Sequence, residues 1–357
     1  MHFFGASYDI MKKCAASVAR SKMQTVVLSQ GQPLARVFLD FSPASETEEL
    51  VVVLKSGEHA GVDKGRIFYD LPNPLTIRGE SGVAGDCVLR SENCEAFHKD
   101  TENRAVITFG GNCTRVTLRG FTIENTHVKA AGDVRLGNQA EALCWHNKTG
   151  FLYCEDMAFV SRQDTIHVKG FSHFKSCFVS GDVDFIWGYC HTSLFDGCTI
   201  HVREDNRGAG CPAYVLQSRA LNSTPGFVFV GCEFTAEGGT ERDIFIARTE
   251  GTGRKDSADR WDSVALVDCT VSSLYNAALW TDEGGTRAVY PQKGSALCGW
   301  REFGTKIRGA DGAVHAYDAS LQDRHGYSMD RKDLELLRRA VEQAEIARQG
   351  GCRLQGV

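Results

Sequence analysis

The chain has no run of about 20 consecutive apolar residues, so it offers no candidate transmembrane span. It also lacks an excess of positive charge. Lys and Arg number 40 against 45 Asp and Glu, a net charge of −5. That balance excludes a basic field for nucleic acid or for an anionic membrane surface. Metal-binding spacings are missing: there is no Cys-x-x-Cys and no His-Glu-x-x-His, and Cys190-His191 reads as a core residue beside a surface one. The first residues, Met1-His-Phe-Phe-Gly-Ala-Ser-Tyr-Asp9, do not follow the charged-then-apolar layout of a signal peptide. A cytoplasmic protein is therefore expected, or a secreted one if a leader was removed. Without a signal peptide, the sequons at Asn112, Asn147 and Asn222 read as chance matches.

What the chain has is length, apolar content and a repeat. Its 357 residues are 42% apolar, enough for one large core in a single domain. A large apolar residue followed three positions later by Cys recurs as Phe151…Cys154, Phe174…Cys177, Phe195…Cys198, Phe229…Cys232 and Leu266…Cys269. Self-similarity at a near-fixed period marks a stacked repeat. Residues around each Cys are β-branched or aromatic, so the unit is built of strands. The shortest steps leave no room for a crossover helix. A β-helix fits, with coils about 4.8 Å apart; a β-sandwich with fortuitous cysteine spacing is the competing architecture. Further strands are expected at Leu50–Leu54, Leu75–Ile77, Ala105–Phe109 and Val116–Ile123. Five of the 14 cysteines share one register, which predicts buried free thiols in a reducing compartment.

The ends read as helices. Asp9–Arg20 is amphipathic and would cap an open end of the coils. Asp330–Arg348 carries Leu334, Leu337, Ala340, Val341 and Ala344 at helical spacing and ends at Gly350-Gly351, packing along the outside or closing the far end. The expected organisation is one domain over 1–357, with a cap region at 1–25, coils over 50–310 and a terminal helix over 328–349. Glu237–Asp243 and Glu250–Arg260 read as inserted loops that shape a groove.

Two segments carry the chemistry: Ser161-Arg-Gln-Asp-Thr-Ile-His-Val168 and Gly181-Asp-Val-Asp-Phe-Ile-Trp-Gly188. Asp164 and Asp184 stand one repeat apart, each followed by strand residues. On adjacent coils the two carboxylates become neighbours, and two close carboxylates do not both ionise freely. One is then a nucleophile or base and the other an acid. The plainer alternative places both Asp in turns.

These segments resemble the paired signatures of the pectin methylesterases, and the resemblance runs in order over roughly residues 50 to 300. Gln139-Ala-Glu-Ala-Leu143, Val116–Thr126, Leu216-Gln-Ser-Arg219 and Ile246-Ala-Arg248 are similar to further family segments. The resemblance implies an all-β, single-stranded right-handed parallel β-helix with N- and C-terminal capping helices. It implies a carboxylic ester hydrolase that removes methyl esters from galacturonate residues. Asp184 would be the nucleophile, Asp164 the acid and then the base, and Gln139 and Gln163 the donors to the oxyanion. Arg248 would hold Asp184 ionised and aimed. Trp187, Gln217, Arg219 and Trp280 would contact substrate. No metal or cofactor is required, and the expected partner of a monomer is methylated galacturonan or oligogalacturonide, with neither nucleic acid nor membrane. The chain departs from the family at Arg162, where a cation beside Asp164 would weaken it as an acid unless the side chain turns outward, and at Thr249-Glu250, where an aromatic platform is lost. Another β-helix esterase or thioesterase, or a non-catalytic carbohydrate-binding β-helix, are the competing functions.

Overall fold

The computed structural model describes residues 22–132, 138–205, 210–221, 223–238, 242–249, 260–281, 297–322 and 326–349. The expected helix Asp9–Arg20, Glu250, Asn222 and most of the two inserted loops lie outside them.

The chain winds as a parallel β-helix. Each coil contributes strands to three ladders. In one coil these are Phe151–Glu155 in the first ladder, Ala158–Val160 in the third and the start of Ile166–Lys175 in the second. Ile166–Lys175 and Val183–Asp196 are long enough to run from the second ladder into the first, with a register shift at Gly170/Phe171 where the chain bends. Described coils extend from Met23–Leu28, paired with Glu49–Leu54, to Gly326–Ser328. They therefore begin earlier and end later than the expected 50–310. Val116–Ile123 is not one strand but two, Arg115–Arg119 and Thr122–Asn125. Gly120 separates them at φ 62°, where an added Cβ would meet the Gly82 backbone at 2.6 Å.

The core is a set of stacked identical positions. Phe174, Phe195, Phe229 and Leu266 pair in register. The Phe174 and Phe195 rings stack at 4.6 Å, and Phe195 on Phe229 at 4.7 Å. Behind them run the thiols: the Cys177 N–H donates to Cys198 Sγ and the Cys198 N–H to Cys232 Sγ, both at 3.4 Å. All twelve described cysteines are free, and eleven are buried. One member of the expected repeat is out of phase. Cys154 pairs with Phe174, not with Cys177. Met157 occupies the Cys position of that coil, its carbonyl accepting from Phe178 as that of Cys177 accepts from Thr199. Just before each of these positions the backbone turns left-handed, at Asp156, Ser176, Gly197, Gly231 and Asp268, with φ between 51° and 59°.

Helix α1 (Leu34–Asp40) buries Leu34 and Phe38 against the start of the second ladder, with Phe38 edge-on to Tyr69 at 5.0 Å. Sequence periodicity did not single it out because it spans only two turns. Helix α2 (Arg331–Gln349) lies along the side of the coils rather than over their end. Leu337 and Val341 pack on Leu194, Val228 and Ala265, the outward neighbours of the core residues Phe195, Phe229 and Leu266. Burying those two side chains contributes on the order of 3–6 kcal/mol before chain entropy is subtracted. Among the described residues no helix is long and apolar enough to cross a membrane. The Asn147 amide is fully buried and donates to the carbonyls of Gly110, Gly111 and Cys113, which leaves that sequon no accessible nitrogen.

Candidate active site

Correct phasing of the coils aligns the two aspartates. Asp164 is seven residues past Met157, and Asp184 seven past Cys177. Ile166 pairs with Ile186, so the residues two positions earlier, Asp164 and Asp184, share one column. Glu141, one coil before, meets this column through Arg104, whose guanidinium bonds both Glu141 and Asp164; the register slips by one residue between Gln139 and Leu143, so Ala140 rather than Glu141 stands opposite Asp164. Gln139 bridges Gln163, and Gln163 bridges Val183, so both glutamines stack beside the aspartates. Asp164 and Asp184 adopt φ 63° and 45°, a left-handed conformation that costs energy in a residue with a side chain. Neighbouring bonds hold it: the Asp164 N–H donates to Val183 O at 3.1 Å, and Thr165 Oγ1 to Ser180 O at 2.8 Å. Gly188 closes the motif at φ 143°, where any Cβ would lie 2.0 Å from Val168 O.

The two aspartates sit in different electrostatic surroundings. Asp184 is held by a two-pronged contact from Arg248, Nε to Oδ1 at 2.9 Å and Nη2 to Oδ2, and that guanidinium also lies 4.5 Å from the Tyr214 ring. Asp164 accepts a single bond from Arg104 Nη2 at 3.0 Å. Arg104 commits its fork to Glu141 instead, with three contacts of 2.8–2.9 Å. Burial pushes the Asp164 carboxyl well above the usual carboxylate range; the Glu141 charge adds to this, Arg104 opposes it, and Asp184 raises it further. The cation beside Asp164 is thus Arg104 and not Arg162. The acid character of Asp164 comes from enclosure among other carboxylates. Arg162 is turned outward: its guanidinium donates to the Glu204 carbonyl, away from Asp164.

A cleft of about 980 Å³ is lined by none of Asp164, Asp184, Gln139, Gln163 and Arg248, and is connected to them through Trp187, whose ring lies 5.9 Å from the Arg104 guanidinium. Its floor is built from outward positions of successive coils: His167 and Lys169, then Trp187 and Tyr189, then Arg219. Arg219 donates to Tyr189 Oη and to Gln217 Oε1, both at 2.7 Å, with its guanidinium 4.9 Å from the Trp187 ring. Trp187 also packs on His167 at 4.2 Å and is 6% exposed, so its main local task is to seat Arg219. The structure therefore brings Asp164, Asp184, Gln139, Gln163, Arg248, Trp187, Gln217 and Arg219 into one region. Trp280 is a correction: it is fully buried, with its ring stacked at 6.0 Å on Trp300, and offers no face to a ligand. Cys144 Sγ lies 3.2 Å from His167 Nδ1, with His146 close by, a cluster that pair spacings in sequence did not reveal. The Lys169 ammonium is 2.8 Å from His146 Nε2, so that corner already holds a cation.

A family model described as Pectinesterase matches residues 44–258. The chain belongs to the pectinesterase family. Pectinesterase QRT1 of Arabidopsis thaliana is 24% identical over 252 residues, covering 68% of this chain and 60% of the relative, so the chain spans about three-fifths of that protein's length. Among solved structures, pectin methylesterase from carrot is 17% identical with a TM-score of 0.65, covering 89% of this chain and 92% of that one. A pectin methylesterase in complex with a hexasaccharide, also 17% identical, has a TM-score of 0.63 and covers 96% of this chain and all of that one. These likenesses establish the fold, with the pectinesterase signatures lying on the coils just described. Two residues of this candidate site escaped the sequence reading. Glu141 stands within Gln139-Ala-Glu-Ala-Leu143, where the family segment has Val, and that departure was its available signal. Arg104 had none, being 60 residues from its partner Asp164.

Proposed function

We propose that this pectinesterase-family chain hydrolyses methyl esters of galacturonate units in pectin or oligogalacturonides. The observation that carries the reading is the unequal pair: Asp184 gripped by Arg248, and Asp164 in phase with it but pushed toward its neutral form. Asp184 attacks the ester carbonyl carbon, and the developing oxyanion accepts hydrogen bonds from Gln139 and Gln163. The bond to the methoxy oxygen breaks, and Asp164 gives its proton to that oxygen, releasing methanol. Water then adds to the acyl carbon, its proton passes to Asp164, and Asp184 leaves as the carboxylate. No step calls for a metal or cofactor.

The cleft supports an acidic substrate. Arg66, Lys99, Lys148, Lys169 and Arg219 line it against only Asp100 and Glu102, in a protein whose overall charge is negative. Tyr214, stacked on Phe245 at 6.0 Å beside Arg248, is an aromatic surface near the position where the family platform is lost. Because every named residue comes from one chain, a monomer suffices, organised as one β-helix domain. The ladder of free thiols favours a reducing compartment such as the cytoplasm.

The test is methanol release from methylated pectin and from short methylated oligogalacturonides. The wild-type protein is expected to release methanol and Asp184→Ala to release none while keeping its circular dichroism spectrum. Hydrolysis of an acyl-CoA without methanol release from either carbohydrate would overturn the reading.

A further inference from the structure

Three carboxylates on consecutive coils form one chain of contacts: Asp164 stacks on Asp184, Arg104 bonds both Glu141 and Asp164 at one end, and Arg248 bonds Asp184 at the other. Arg248 is committed to Asp184, and Arg104 to Glu141. We propose that Glu141 and Arg104, which lie outside the chemistry assigned above, are positioning residues: they force the proton of these three carboxylates onto the middle one, Asp164, and so make Asp164 the acid.

The charge count argues for this. Three carboxylates and two guanidinium groups, all largely enclosed, are neutral as a set only if one proton is present. Glu141 is fully buried and satisfied by the Arg104 fork; Asp184 is satisfied by the Arg248 fork. Asp164 has one shared contact and a carboxylate on either side, so ionising it is the costliest of the three choices. Burial raises Glu141 as well, against the pull of Arg104. Other charges facing this set are Glu95, 3.8 Å from Arg104 Nη1, and Arg219, which acts weakly on Asp164. The backbone of Glu141 is fixed independently, its carbonyl accepting from Asn125 Nδ2 at 3.0 Å.

The inference rests on the esterase reading for its kinetic arm only. Glu141→Gln removes the charge with little change of shape. Asp164 then loses an anionic neighbour and gains the Arg104 fork, so both effects favour its ionised form. Activity that needs the acid is present below the apparent pKa of Asp164 and lost above it. The alkaline limb of kcat/KM should therefore move to lower pH by about one to two units. Glu141→Asp keeps the charge, and its limb should stay near that of the wild type even if the rate falls. An unmoved limb in Glu141→Gln, or an equal shift in both variants, overturns the proposal. Difference infrared spectroscopy of the unmodified protein reads the proton without substrate and without a folded Glu141 variant. A protonated-carboxyl band that disappears at alkaline pH and is absent from Asp164→Asn is expected; no such band at neutral pH refutes the proposal. A methanol assay that fails in the wild type, with the infrared band present, would sink the pectin reading and leave this one standing.

Discussion

Removing Arg248 separates aiming the nucleophile from binding the substrate. Its Nε and Nη2 make two charge-assisted bonds to the two oxygens of Asp184, and the two side chains are 26% and 9% exposed. Bonds of this kind contribute about 1.5–3 kcal/mol each, and the partly exposed guanidinium places this pair toward the lower end. Losing both in Arg248→Ala should cost about 3 kcal/mol of transition-state stabilisation, or roughly 100-fold in kcat. KM should stay nearly constant, because Arg248 holds Asp184 rather than the sugar. Arg248→Lys keeps a cation but not the fork, and should fall between the two. Initial rates of methanol release across a range of pectin concentrations separate kcat from KM, and thermal melts establish that the variants are folded. A kcat for Arg248→Ala within about threefold of the wild type, or a loss expressed wholly in KM, would refute the assignment of Arg248 as the group that orients the nucleophile.

Two further perturbations test the placements. Trp187→Ala should raise KM by roughly tenfold through loss of the surface that seats Arg219, whereas Trp280→Phe should lower Tm and leave KM unchanged; the reverse pattern in titrations with an oligogalacturonide would undo both assignments. Gly120→Ala should lower the unfolding free energy by about 1–3 kcal/mol, since the new Cβ meets the Gly82 backbone at a positive φ; a denaturant midpoint equal to that of the wild type would remove that turn from the account.

The coil architecture was legible in the sequence because core positions repeat, and Phe174, Phe195 and Phe229 announce their own stacking. The fault lay in one coil. Phe151 and Cys154 imitate the motif but lie three residues out of phase with it, because Cys154 takes a core position filled elsewhere by Phe and Met157 takes the Cys position. Counted from those cysteines, Asp164 is ten residues on from Cys154 and Asp184 seven from Cys177, a mismatch that vanishes once Met157 is taken as the Cys position. At the site, residues within the two signature segments could be read directly. Arg104 could not, because a guanidinium arriving from 60 residues away leaves no local pattern. Trp280 was misplaced for a related reason: sequence shows that an aromatic ring is present, not whether a second ring, here Trp300, already covers it.

The left-handed turns at Asp156, Ser176, Gly197, Gly231 and Asp268 recur at one point of the coil whatever the length of chain between them. Each coil is therefore restarted locally, like a line of type returned to its margin. The stretch from Ser176 to Gly197 is short and the stretch from Gly197 to Gly231 much longer, yet Phe195 still stacks on Phe229 as Phe174 stacks on Phe195. Insertions lengthen the rim without changing the pitch of the stack. The column of Asp164 and Asp184, set by the pitch, and the loops of the rim can accordingly change independently of one another.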